Sequence, residues 1–357
     1  MTNKAMTEMT FDELFPTHNK IEASGIIKSC PSDFKVFEVN DQVEFTGDGE
    51  HLWLLIEKTD TNTDWVAKQL AYICQVSERN IGYAGLKDRN AVTQQWFSIQ
   101  LPKVDLASDI QQALPEEIQI KRSERHNRKI KTGYLQGNRF ELMVRNIDGC
   151  KASIENNIQN VIDYGVPNYF GSQRFGKEMG NIEKAEALFS GQFRTRNKNL
   201  KSLLISTARS HIFNNIVTTR IINKTWHQVI PGDVMQLNNS HSWFKSSEAT
   251  ADEIKQRLNE KDIHISAALW GEDTVQSETD CAAFENEVAA QSPQYKTGFE
   301  QHRVKQDRRA IRLCPKALEY QWQSDDLLLT FELPPGAYAT VVMREILACS
   351  ERPKHGR

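Results

Sequence analysis

The stretch Ile154-Glu155-Asn156-Asn157-Ile158-Gln159-Asn160-Val161-Ile162-Asp163-Tyr164-Gly165-Val166-Pro167 decides how this chain is divided. Ile154, Ile158, Val161 and Ile162 share one helical face, and Gly165 with Pro167 just beyond is how a helix stops. A domain boundary is expected there. Upstream the pattern is mixed. Phe34, Val36 and Glu38 alternate with Lys35, Phe37 and Val39, and further strands are predicted at His51–Lys58, Gln94–Leu101 and Phe140–Arg145. Thr61-Asn62-Thr63-Asp64 has capping-box spacing before a helix with Val66, Leu70, Ile73 and Cys74 on one face. Downstream the periodicity is mostly helical, over 181–190, 200–222 and 251–259, while 271–302 is acidic and weakly patterned. A strand returns at Leu327–Leu333, Pro334-Pro335-Gly336 breaks it, and a helical stretch is expected over 337–349. Strands at both ends with helices between predict an α+β domain interrupted by an insertion.

The chain has 357 residues, 39% of them hydrophobic and 25% charged, an ordinary globular composition. One core rarely keeps growing past about 250–300 residues, so two domains are expected. No apolar run approaches the roughly 20 residues that span a bilayer. The polar N-terminus, with Glu8, Asp12 and Glu13, does not resemble a secretory signal or transit peptide. Six scattered cysteines argue against a disulfide framework or structural zinc and point to the reducing cytosol. A net charge of −3 argues at first against nucleic acid, but its distribution reverses that reading. Residues 1–120 carry a net −9, whereas 121–145 carry a net +6. Residues 194–209 hold 5 basic and no acidic residues, and 303–316 hold 6 basic residues against Asp307. Three such tracts are candidates for a phosphate-binding groove, although each alone reads as well as a solvated face.

The chain shows no phosphate-cradling glycine loop, no nucleophile-elbow motif and no paired histidines at metal-ligand spacing. Carboxylate, amide and aromatic chemistry without metal or organic cofactor is the simplest expectation. The most unusual stretch is Gly82-Tyr83-Ala84-Gly85-Leu86-Lys87-Asp88-Arg89-Asn90-Ala91-Val92-Thr93-Gln94-Gln95-Trp96-Phe97. Two glycines allow a tight turn, and Asp88 then sits between two cations, which favour the ionised form a carboxylate nucleophile needs. Read locally, the same residue also fits a loop acid in a turn bond or surface ion pair. Gly137-Asn138-Arg139-Phe140 offers an amide for a uracil edge and a ring for a base, or simply a turn entering a strand. Phe34 and Phe331 read locally as core. Gly165 to Gly176 mixes aromatics, amides and Arg174, which suits unpaired bases but equally a linker.

Ala84-Gly85-Leu86-Lys87-Asp88, with Ala91-Val92-Thr93 and Gln95-Trp96, closely resembles the signature of the TruD family of tRNA pseudouridine synthases. Gly137-Asn138-Arg139-Phe140, Val166-Pro167-Asn168-Tyr169-Phe170-Gly171, Gln173-Arg174-Phe175-Gly176 and Phe331 through Leu333-Pro334 with Gly336 resemble further blocks in family order. So do Ser206 with Ala208-Arg209-Ser210, and Gly232-Asp233. The resemblance covers roughly residues 24–348; Tyr338 stands where relatives often show Phe, and the tail after Leu347 is unmatched.

The resemblance implies isomerisation of uridine to pseudouridine in tRNA, at position 13 in bacterial members, without metal or cofactor. It makes Asp88 the catalytic aspartate and lines the uridine pocket with Phe34, Asn138 and Phe331, with Phe140 an aromatic neighbour. It also implies a pseudouridine-synthase-type α+β catalytic domain with a mixed or antiparallel sheet, interrupted by an inserted, mostly helical α+β domain. The expected division is a polar lead at 1–24, catalytic parts at 25–164 and 306–349, the insertion at 165–305 and a tail at 350–357. A cytoplasmic tRNA-binding monomer is the default. Asp88 would either attack the ribose C1′ or remove a C2′ proton to give a glycal, and both routes remain open. The rivals are a non-catalytic RNA-binding protein on the same scaffold and a carboxylate hydrolase or glycosylase. The last normally requires a second carboxylate paired with Asp88, and none is evident.

Overall fold

The computed structural model describes residues 9–40, 43–101, 107–134 and 136–351. Within them the chain forms two compact units, one of residues 22–156, 315–339 and 347–351, the other of residues 9–21, 157–314 and 340–346. The first eight residues of the expected lead, and the tail from 352, lie outside the described residues.

The first unit is a ten-stranded mixed sheet. Its strands are β1 (Ser24–Ile27), β2 (Phe34–Val39), β3 (His51–Thr59), β4 (Ile81–Tyr83), β5 (Val92–Gln100), β6 (Ile118–His126), β7 (Gly137–Asp148), β8 (Lys316–Gln323), β9 (Asp326–Leu333) and β10 (Ala348–Glu351). The main order is β8-β9-β7-β2-β5-β3-β6, with β1 between β7 and β10, and β4 on β5. β2 pairs β5, and β1 pairs β10, in parallel; the remaining pairs are antiparallel. Strands from both chain ends thus meet in one sheet, since β9 lies against β7 with Phe331 opposite Phe140. The period-2 alternation of β2 and β9 gives each strand one buried face. Helix Thr63–Ile73 packs Val66, Ala67 and Leu70 onto Leu54, Ile56 and Phe97, forming one core. Trp53, Ala84, Trp96 and Ile130 form a second cluster.

Two expectations for this region are corrected, and the first basic tract gains a structural setting. Residues 337–349 are not one helix: only Ala339–Met343 is helical, and Ala348–Glu351 becomes β10, drawn into extended pairing with β1. The helix cap is Asn62 rather than Thr61, whose hydroxyl donates instead to the Thr59 carbonyl at 2.9 Å. The first basic tract begins as a strand, because Arg122 and Lys121 sit on β6, ion-paired with Glu124 at 2.8 Å and Glu57 at 2.9 Å.

The second unit centres on helix Lys198–Ile222, whose Leu204, Ala208, Ile212, Phe213, Ile216 and Val217 are buried. A four-stranded antiparallel sheet runs Trp243–Lys245, Val234–Leu237, Ile263–Leu269, Asp307–Ala310. The acidic segment 271–302 holds helices Thr279–Ala290 and Pro293–Gln301, fixed by buried Cys281, Glu285, Tyr295 and Phe299 rather than by a clean surface pattern. Arg308 and Glu285 form a fully enclosed ion pair at 2.9 Å. Residues 9–21 are not a loose lead. Phe15 is fully buried against Tyr169 and Phe175, and the Glu345 carboxylate accepts the His18 and Asn19 backbone N–H groups at 2.9–3.1 Å.

Burial pushes the Glu345 carboxyl up to about 7, against the pull of those N–H groups and Arg344. A raised acid stabilises the fold fully below its unfolded value of 4.5 and loses that contribution as pH climbs through about 7. The slope is up to about 1.4 kcal/mol per pH unit. Glu345→Gln should therefore flatten the fall in urea midpoint between pH 5 and pH 8. A wild-type–variant difference that is the same at both pH values contradicts this assignment.

Candidate active site

The site is built on one face of the sheet. β2 presents Phe34, Val36 and Glu38 there; β7 places Leu142, Phe140 and Asn138 directly opposite them, and β9 continues with Leu329, Phe331 and Leu333. On the other side of β2, β5 adds Thr93, and β3 sets Lys58 beside Thr93. Asp88 belongs to the loop between β4 and β5 that lies against this face. Gly82 is required by close approach: a Cβ would come within 2.4 Å of the Ile130 carbonyl oxygen. Gly85 is not, since a Cβ there would meet nothing within 4 Å, and neither glycine has a positive φ, so the turn does not draw on the backbone freedom expected of them.

The loop is held by its main chain. Buried Gln95 donates to the Gly85 carbonyl at 3.1 Å, and Thr63 donates to Gln95 Oε1 at 3.0 Å while accepting the Lys87 N–H at 3.1 Å. Gly133 N–H donates to the Ala84 carbonyl at 2.9 Å, and Lys58 Nζ to the Asp88 carbonyl at 2.9 Å. Asp88 is therefore fixed by its neighbours' backbone and keeps its carboxylate 37% exposed. Positioning of this kind lowers the entropy to be lost when a reacting atom is brought to the carboxylate.

Three lysines surround it. Lys28 Nζ donates to Asp88 Oδ2 at 3.4 Å and to Glu351 at 3.1 Å, and stands 4.4 Å from the Phe34 ring centroid. Lys58 is fully enclosed, and burial brings its ammonium down to about 8 despite the nearby Asp88 charge. Lys87 pairs with buried Glu38 at 3.8 Å; burial lifts the acid and lowers the base, each partly offset by the other. Reading the sequence alone does not single out Lys28, Lys58, Glu38, Thr63 or Gln95 as members of this site. A lysine in an apolar strand, as at Lys58, is the one signal the sequence carries for them.

The aromatic residues converge as a packed cluster. Phe34 and Phe140 meet edge-on with centroids 6.3 Å apart, and Phe140 stacks on Phe331 at 5.5 Å. All three are buried, Phe331 completely, and the exposed member of the site is the Asp88 carboxylate. Asn138 Oδ1 is buried without a hydrogen-bond partner, whereas Oε2 of its cross-strand neighbour Glu38 faces the Lys87 ammonium. A buried amide oxygen that no protein donor satisfies can accept a hydrogen bond from a ligand donor.

Other candidates are structural. Tyr169, Phe170 and Phe175 are buried, and the Asn168 side chain donates to the Ala310 carbonyl at 2.8 Å, so the 165–176 loop offers no open stacking surface. The third basic tract is largely consumed: Arg308 binds Glu285, Arg309 binds Asn168 at 2.7 Å, and Arg312 binds His264 at 3.0 Å. Arg209 of the second tract donates to the Trp270, Leu269 and Lys305 carbonyls, while Arg194, Arg196 and Lys198 are exposed. In the first, Arg145 is locked between Asp33 and Asp326, and Arg128 and Lys131 are exposed. Among the described residues no cluster of three histidine, cysteine or acidic side chains could hold a metal, and no helix is long and apolar enough to cross a membrane.

A mixed sheet thus brings the Asp88 carboxylate, Lys28 and a packed cluster of phenylalanines to one face. The family model described as tRNA pseudouridine synthase D (TruD) matches residues 15–195 and 179–346. The tRNA pseudouridine synthase D of Hydrogenovibrio crunogenus is 41% identical over 332 residues, covering 92% of this chain and 94% of its own. That of Colwellia psychrerythraea is 40% identical, covering 92% and 91%. A crystal structure of a putative tRNA pseudouridine synthase D from Methanosarcina mazei shares the fold with a TM-score of 0.73 at 23% identity, over 93% of this chain and 95% of that one. The chain belongs to the TruD family.

Proposed function

We propose that this protein is a tRNA pseudouridine synthase acting on uridine 13, with Asp88 as the catalytic carboxylate. The observation that carries the reading is Asp88 itself: held through its backbone, partly exposed, and ion-paired to Lys28, which also stands over the Phe34 ring. A uridine stacked inside tRNA must first be extruded, which costs roughly a few kcal/mol. The Asp88 loop then meets the ribose. The carboxylate either adds to C1′ as the N1–C1′ bond breaks, or removes the C2′ proton to leave a glycal. Uracil departs with the bonding electrons on N1, turns, and bonds to C1′ through C5, as the Asp88–C1′ bond breaks on the first route or as C2′ regains its proton from Asp88 on the second. C5 then gives up its proton and N1 gains one, so the product is an isomer and no redox partner is needed. On this reading Asn138 Oδ1, an acceptor without a protein partner, takes the N3–H of the base without adding charge, which its lack of a partner supports. On the same reading the apolar cluster of Phe34, Phe140 and Phe331 backs the base and limits its exchange with water.

The test is incubation with unmodified tRNA followed by carbodiimide-blocked primer extension. One stop at position 13 is expected, and a stop elsewhere or none overturns the proposal. Charge reversal at Arg128 and Lys131 should weaken tRNA affinity and reduce the slope of log affinity against log salt by about 1 for each phosphate no longer neutralised. An unchanged slope means these exposed cations touch no phosphate.

A further inference from the structure

Helix Thr63–Ile73 buries Val66, Ala67, Leu70 and Ala71, and presents Asp64, Trp65, Lys68 and Tyr72 to solvent on its other side. Trp65 is 40% exposed and Tyr72 82%. Residues at i, i+3 and i+7 form one stripe along a helix, so Trp65, Lys68 and Tyr72 make an aromatic–cation–aromatic line. Neither ring has an aromatic or cationic partner among the described residues. The core does not need this indole: the helix is already docked through its opposite face.

The stripe adjoins the Asp88 loop. One cleft of about 330 Å³ is bounded by Asn62, Trp65 and Arg89, and a second of about 430 Å³ by Trp65, Lys68, Leu86 and Lys87. Trp65 forms a wall of both. Asp88 lies in the chain between Lys87 of one cleft and Arg89 of the other, and Leu86, two residues away, is 69% exposed. Its Cα is at most about 7.6 Å from that of Asp88. Both clefts thus lie within a nucleotide's reach of the Asp88 loop.

We infer that Trp65 is a stacking platform for an unpaired RNA base next to the reacting uridine, with Leu86 as its apolar edge. This rests on the proposed function and goes beyond it, since it assigns a subsite for a nucleotide that does not react. The charges favour stacking over phosphate binding as the main contribution. The cleft acids are partly engaged, Asp60 with Arg89 at 3.6 Å and Asp64 with the Tyr83 hydroxyl at 2.7 Å, and they offset Lys68 and Arg89. Base–aromatic stacking is sequence-tolerant and needs no net positive charge. An unpaired base of a strand already held at Asp88 suits an exposed indole whose clefts take in the residues on either side of that aspartate.

The experiment compares wild type, Trp65→Ala and Trp65→Phe in filter-binding affinity for unmodified tRNA and in steady-state turnover. Trp65→Ala should weaken binding and raise KM roughly tenfold, with kcat within threefold and an unchanged salt slope, whereas Trp65→Phe should recover most of the loss. Affinity for Trp65→Ala within twofold of wild type overturns the platform. So does a changed salt slope, a phenylalanine variant as weak as alanine, or a changed sedimentation coefficient, which marks a protein interface instead. If wild type binds tRNA without isomerising it, the proposed function fails, and the affinities still decide the platform.

Discussion

Asp88→Asn should give a folded protein that binds tRNA and makes no measurable pseudouridine, a loss of roughly 10³-fold or more. An amide oxygen is too weak to add to C1′ and too weak a base to remove a C2′ proton, so both routes fail together. The fold should survive because the loop is fastened through main-chain atoms: the Ala84, Gly85 and Asp88 carbonyls and the Lys87 N–H. None of those bonds involves the carboxylate. Asparagine keeps the volume and one acceptor for Lys28, and at 37% exposure the site does not bury an unpaired group. The melting temperature should move by no more than about 2 °C, and tRNA affinity by no more than a few-fold. Single-turnover assay with primer extension decides it. Residual isomerisation within tenfold of wild type would remove Asp88 from the chemistry.

What the sequence makes legible follows from which interactions are local. β2 and β9 are legible because an alternation of apolar and polar residues has one physical solution on a half-buried sheet. Asp88 stands out through its Gly-rich approach and flanking cations. Phe34, Asn138, Phe140 and Phe331 look like ordinary strand residues, and only the family resemblance sets them apart. That is because their registers, Phe331 opposite Phe140 and Glu38 opposite Asn138, join segments 100 or more residues apart. The lysine cage is invisible for the same reason: Lys28 and Lys58 reach Asp88 across 60 and 30 residues. Charge counting misreads 303–316, because the acid that neutralises Arg308 lies in a helix that carries no clean amphipathic pattern. The expected C-terminal helix fails where pairing with β1 outweighs local propensity.

Lys28→Asn should separate stability from activity at the same site. Lys28 has φ +55°, a left-handed conformation that costs a side chain such as lysine roughly 1–2 kcal/mol and that asparagine accepts more readily. The strain holds the ammonium at the meeting point of Asp88, Glu351 and the Phe34 ring. Asparagine relieves the strain but is too short to reach those partners. The positive charge that orients Asp88 then disappears, and so does the cation over the ring beside which the base must enter. Stability should be unchanged or higher, because the Lys28 ion pairs reach partly exposed acids and contribute at most about 1 kcal/mol. The rate should fall about 100-fold in kcat with KM for tRNA within threefold, since one cation among many contributes little to binding a whole tRNA. Lys28→Arg, which keeps charge and reach, should recover at least part of the rate. Thermal melts beside steady-state kinetics test the pair of claims. A Lys28→Asn protein that melts well below wild type would make the lysine structural, and one with unchanged kcat would leave Asp88 oriented by its loop alone.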